Sequence, residues 1–175
     1  MIDLTSLLST QNPMLKTKPL DLGGSASFSI LYGSSLNVAV SAEKTPLSLA
    51  YQTAIDRINE KVAPYLGENA LARGIEDKVD LSPEATADRI VSRSTALYSR
   101  FEKRHVNEVP QAVLDRFIDT IRGGIEEGFS EATEILSSLG VFEGDIEANV
   151  KLTFDLIVEK LAVYHSQKLE VLNEQ

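Results

Sequence analysis

The chain has 175 residues and a formal net charge of −9; 43% of its residues are hydrophobic and none is Cys or Trp. The apolar share is enough for one cored domain, and the missing Cys excludes disulfides, thiol catalysis and Cys-ligated metal. No run of 18 apolar residues exists to cross a membrane, and a cleaved secretory leader is not expected from Met1-Ile2-Asp3-Leu4, which lacks a basic stretch followed by an apolar one.

The charge is unevenly placed. In residues 1–45, Lys16, Lys18 and Lys44 balance Asp3, Asp21 and Glu43. The whole deficit therefore falls on residues 46–175, which repel phosphate backbones at long range. Nucleic acid is not an expected partner. Residues 1–45 are rich in Ser, Thr, Gly and Leu and read as a largely flexible N-terminal segment. Phe28–Tyr32 and Leu36–Val40 have strand-like composition, so a short hairpin around Gly33-Ser34-Ser35 stands as an alternative.

The helical domain is expected over residues 46–175. Thr45-Pro46 opens the first helix as N-cap and first-turn proline. Leu47, Tyr51, Ala54, Ile55, Ile58, Val62, Tyr65 and Leu66 then recur at three- and four-residue spacing, and Gly67 ends the run. Residues 68–81 read as a connector with a turn near Asn69–Arg73. Ser82-Pro83-Glu84 opens a second helix. Its core face is Ala87, Ile90, Val91, Ser94, Leu97, Tyr98 and Phe101, and it frays near Arg104-His105.

A third run keeps one apolar face from Leu114 through Ile121, Ile125 and Phe129 to Leu139. Gly123-Gly124 sits inside it, at roughly 1 kcal/mol per glycine relative to alanine. The apolar phase crosses the pair without a slip, so a continuous or kinked helix is expected, ended by Gly140. A split there would raise the helix count from four to five. The last helix follows Gly144 with Asp145 as N-cap and Ile146, Val150, Phe154, Ile157, Leu161 and Tyr164 on one face, ending near Leu172. The fold expected is all-α, an irregular bundle of four to five helices.

Several of these segments carry a family resemblance. Leu81-Ser82-Pro83-Glu84-Ala85-Thr86-Ala87-Asp88-Arg89-Ile90-Val91 resembles the signature of an uncharacterised bacterial helical family, domain of unknown function fifty-six-ten. Gly124-Ile125, Gly128-Phe129-Ser130-Glu131-Ala132 and Leu139-Gly140-Val141-Phe142 are similar to it too, as is the helix from Pro46 to Gly67. The resemblance spans roughly residues 36–165. It implies an α-helical domain of a Gram-negative bacterium, and supplies no reaction, cofactor or site residue.

Four features bear on function. Gly124, Gly128 and Ala132 form a small-residue stripe, expected to mark close packing by the first or fourth helix, with a homodimer contact as the alternative. A phosphate loop is not expected, since no Lys-Ser/Thr follows Gly123-Gly124. Arg89, Arg93, Arg100 and Arg104 fall within about 60° of one another on a helical wheel. They are expected to meet Glu126, Glu127, Glu131 or Asp145; the sharper alternative is a basic row that binds an acidic partner or an anion. Glu143, Asp145 and Glu147 suit a helix N-terminus, since Phe154 stands where an EF-hand needs its last Glu. His105 and His165 form no metal-binding pair and read as exposed helix-end residues. The tyrosines read as core or rim.

No catalytic residue, metal site or cofactor is expected. The function that fits best is a non-catalytic interaction module with a protein partner, placed in the cytoplasm. A leaderless exported or surface-associated structural protein and an enzyme with a hidden site are the alternatives.

Overall fold

The computed structural model describes residues 45–72 and 80–174, apart from the Thr45 side chain. The segment read as flexible, with its hairpin at 28–32 and 36–40, lies outside the described residues up to position 44. So does the end of the connector, residues 73–79.

Among the described residues the fold is all-α, with no strand. The elements are α1 (Thr45–Leu66), α2 (Pro83–Thr95), α3 (Tyr98–Glu102), α4 (Pro110–Ser138) and α5 (Gly144–Asn173). Facing residues fix their directions. Gly124 and Gly128 of α4 meet Ile58 and Ala54 of α1, so these helices are antiparallel. Asp115 faces His165 and Phe129 faces Phe154, so α4 and α5 are antiparallel too. Tyr51 meets Arg93 and Tyr65 meets Phe101, so α1 and α2–α3 run the same way. Three of the four long runs are therefore parallel, and α4 runs against them. The long α1–α2 connector follows from this, because a chain joining parallel neighbours must travel back along the bundle.

Each boundary has a local cause. Gly67 leaves α1 with φ +84°, and its N–H bonds the Ala63 carbonyl at 2.9 Å. Pro64 sits in the last turn of α1. It offers no N–H to the Glu60 carbonyl, but this side of the helix faces solvent. Ser82 caps α2 by accepting from the Ala85 N–H at 3.3 Å. Gly140, at φ +68°, closes α4 in a Schellman motif. There the Val141 N–H bonds the Leu136 carbonyl at 3.1 Å and the Gly140 N–H bonds Ser137 at 3.0 Å.

Two boundaries differ from expectation. The second run is broken, giving α2 and α3 instead of one helix to residue 104, and this break supplies the fifth helix. The Leu97 N–H bonds Ser94, three residues back, at 3.1 Å. The Ser94 hydroxyl bonds the Ile90 carbonyl at 2.6 Å, and the Thr95 hydroxyl bonds Val91 at 2.7 Å. Consecutive hydroxyls competing for the same carbonyls tighten and bend a helix. The apolar face continues across the break, so periodicity alone could not reveal it. The second difference is at α5. Its N-cap is Glu143, in extended backbone, and not Asp145. Gly144 begins the helix at φ +56°, which places Asp145 inside the first turn.

The core is a single apolar seam. Tyr51, Ile55, Ile58, Ile90, Phe101, Leu114, Phe117, Ile121, Ile157 and Leu161 are wholly buried within it. α4 is continuous through Gly123-Gly124, as its apolar phase implied. Thr53 donates to the Leu49 carbonyl at 2.9 Å and Thr153 to Asn149 at 2.7 Å, each within its own helix, whereas the buried hydroxyls of Thr86 and Tyr98 have no hydrogen-bond partner among the described residues.

Candidate functional site

The glycine stripe is where α1 crosses α4, the most extensive contact in the bundle. A Cβ at Gly124 would stand 2.8 Å from the Ile58 backbone, and one at Gly128 2.5 Å from Ala54 Cα. Real Cβ atoms do not approach so closely, so both glycines let two backbones touch. Ala132, wholly buried, continues the same face. Gly123 is different, because its Cβ would meet only the end of Lys61 at 4.0 Å. Ion pairs flank the crossing: Arg57 to Glu131 at 2.9 Å and Lys61 to Glu127 at 2.5 Å. Two of the carboxylates expected to receive the arginine row are thus engaged elsewhere.

The row itself is divided by the break between α2 and α3. Arg93 donates to the Tyr51 hydroxyl at 2.8 Å and reaches the Ala72 carbonyl at 3.4 Å. Arg89 donates to the Asp80 carbonyl at 3.0 Å. Both guanidinium groups lie about 6 Å from the centre of the Tyr51 ring, at 5.9 and 6.0 Å. These two arginines hold the ends of the α1–α2 connector to the bundle. Arg100 and Arg104 are exposed on and after α3, with no ion pair among the described residues. A wheel drawn for one unbroken helix puts the four together; the break after Thr95 divides them into a partnered pair on α2 and an exposed pair on and after α3.

The histidines are not the exposed ends expected. His105 Nδ1 lies 2.7 Å from the Phe101 carbonyl, and its ring stacks on Phe101 with centroids 4.4 Å apart. His165 Nε2 lies 2.7 Å from Asp115 Oδ1 across the α4–α5 contact. This pair is partly open to solvent, with side chains 31% and 48% exposed, and it joins two helices. Glu143, Asp145 and Glu147 do not converge. Glu147 pairs with Lys151 one turn on, and no group of acidic or histidine side chains among the described residues is arranged to hold a metal ion.

Tyr98 and Tyr164 meet edge to face, with centroids 6.5 Å apart, beside Phe117 and Glu102. Burial first, and then the nearby Glu102 carboxylate, push both phenols up to about 12. Since the folded values lie above the ordinary 10.0, their contribution to stability is complete below pH 10 and is lost as pH rises from 10 through 12. An ultraviolet titration should show two late-ionising tyrosines, and unfolding in urea should collapse them onto the ordinary value.

The remaining feature is a cleft of about 430 Å³ between α4 and α5. α5 packs more extensively on α2 than on α4. Its N-terminal half leaves a gap beside α4, floored by Phe129, Phe142, Val150 and Phe154. Phe129 and Phe154 are in contact, with ring centroids 5.5 Å apart. Glu126, Glu134 and Asp155 stand on the rim with Lys151, whose charge is already paired with Glu147. The open carboxylates leave the rim negative. Sequence reading placed Phe129 and Phe154 on apolar faces but gave no sign that the two faces fail to close over each other.

A family model described as domain of unknown function DUF5610 matches residues 44–163. That interval includes all of α1 to α4, the cleft and α5 up to Val163. No curated protein and no solved structure matches the chain.

Proposed function

This chain belongs to the DUF5610 family, and on that premise we propose that it serves a bacterium as a non-catalytic interaction module whose docking surface is the α4–α5 cleft. The observation that carries this reading is the cleft's aromatic floor, on which Phe142 and Phe154 are left partly exposed above the buried Phe129. The partly exposed rings of Phe142 and Phe154 favour an apolar ligand. The acidic rim selects one with Lys or Arg beside its apolar side chains, chiefly by speeding encounter and excluding acidic competitors. The histidine–aspartate pair, with both side chains partly open to solvent, ties α4 to α5 and is read as a structural contact.

Two fluorescent peptides test the proposal, one with leucines flanked by lysines and one with the same leucines flanked by glutamates. Anisotropy titration should show binding of the first alone, weakened at least tenfold by Phe154→Glu and unaffected by Arg100→Glu/Arg104→Glu. Equal binding of both peptides, or indifference to Phe154→Glu with the fold intact by circular dichroism, would remove the cleft as the docking surface.

A further inference from the structure

We infer that the cleft is occupied by the chain's own residues 13–20, Pro13-Met14-Leu15-Lys16-Thr17-Lys18-Pro19-Leu20, acting as an intramolecular ligand that an external partner must displace. This rests on the cleft being a docking surface, and it names the occupant. Three observations carry it.

The first is charge. Residues 1–45 sum to zero while the helical domain holds the whole deficit, and Lys16 and Lys18 are the one pair of like charges in the segment before α1. They alternate with Thr17 and are bracketed by Met14, Leu15 and Leu20. That is the chemistry the cleft selects: apolar side chains for Phe129, Phe142 and Phe154, and cations for Glu126, Glu134 and Asp155.

The second is position. Ala54 lies against Gly128 in an antiparallel pair. Thr45 is nine residues before Ala54, about 13.5 Å at 1.5 Å per residue. This places it level with the C-terminal end of α4, the end at which Phe142 closes the cleft. The third is reach. The 25 bonds from Leu20 to Thr45 can extend to about 80 Å, well beyond the width of a helical bundle.

The consequence is self-competition. A tethered ligand acts at an effective concentration set by its linker, so a partner's apparent affinity falls by the fraction of clefts already filled.

The absence of Cys permits a clean test on the full chain. A nitroxide on Thr17→Cys should broaden the backbone amide resonances of Ser130, Thr133 and Phe154 by more than half relative to the reduced label. A nitroxide on Ser34→Cys should not. Lys16→Glu/Lys18→Glu, outside the helical domain, should restore the intensities, and it should tighten binding of the lysine-flanked peptide severalfold. If the Thr17 label leaves the cleft unbroadened, or the Ser34 label broadens it instead, residues 13–20 are not the occupant. Should the external peptide still bind in that case, the cleft reading survives and self-docking alone is wrong. Should neither act, both are wrong.

Discussion

Gly128→Ala should lower the thermal midpoint of the domain by about 10 °C, while Gly123→Ala, five residues earlier on the same helix, should raise it by about 2–3 °C. Both changes add one methyl group to α4 and both improve helix propensity by up to about 1 kcal/mol. Surroundings decide the sign. At Gly123 the new Cβ meets only the flexible end of Lys61 at 4.0 Å, so the propensity gain survives. At Gly128 it would lie 2.5 Å from Ala54 Cα and 2.6 Å from its nitrogen. Backbone of a buried helix cannot step aside as a side chain does, and α1 must move away along the whole crossing. Overpacking of this kind costs about 3 kcal/mol, and for a domain of this size each kcal/mol moves the midpoint by roughly 3–5 °C. Gly124→Ala, with contacts at 2.8 Å, should fall between the two. Differential scanning calorimetry of the three variants checks the order, and a Gly128→Ala protein as stable as the parent would refute the close crossing.

The second large effect should come from Asn59. Its side chain, 4% exposed, donates to the Leu71 carbonyl at 3.1 Å and accepts from the Leu71 N–H at 2.8 Å. One amide thus satisfies both backbone groups of a buried connector residue, as a strand partner would. Asn59→Asp keeps the acceptor, removes the donor and sets a charge against a carbonyl in a dry site. Leaving such groups unmatched costs about 2–3 kcal/mol. Urea unfolding near neutral pH should show that loss. Burial raises the pKa of the introduced carboxyl, and protonation restores a donor. The penalty should therefore shrink as pH falls through that raised value and be largest above it. A pH-independent deficit would mean that the carboxylate reaches solvent and Leu71 has been released.

These two sites show where sequence reasoning reached and where it stopped. Starts and stops were legible because single residues encode them: Ser82 and Pro83 at α2, Gly67 and Gly140 at two C-termini. The continuity of α4 was legible because its apolar phase passes Gly123 and Gly124 unshifted. Which glycine is indispensable was not, since that depends on the register of a helix 74 residues away, measured by the Arg57–Glu131 pair. Asn59 stands among apolar-face residues as an ordinary polar one until the connector folds back onto it. The arginine row misled for a related reason. A wheel assumes one unbroken helix, and here the α-helical ladder is interrupted between Ser94 and Tyr98, where the Leu97 N–H bonds Ser94 three residues back. The cleft is the hardest case, being a place where two correctly assigned apolar faces do not close, and no residue marks the gap.

The α1–α4 crossing also bears on how the protein is made. α1 leaves the ribosome about 70 residues before the glycines that receive it, which at 5–20 residues per second is a delay of roughly 4–14 s. Through that interval its apolar stripe has no α4 to cover it, and its one sequence neighbour, α2, offers the lesser contact. The apolar stripe of α1 therefore stays without its main partner until residue 132 has cleared the exit tunnel.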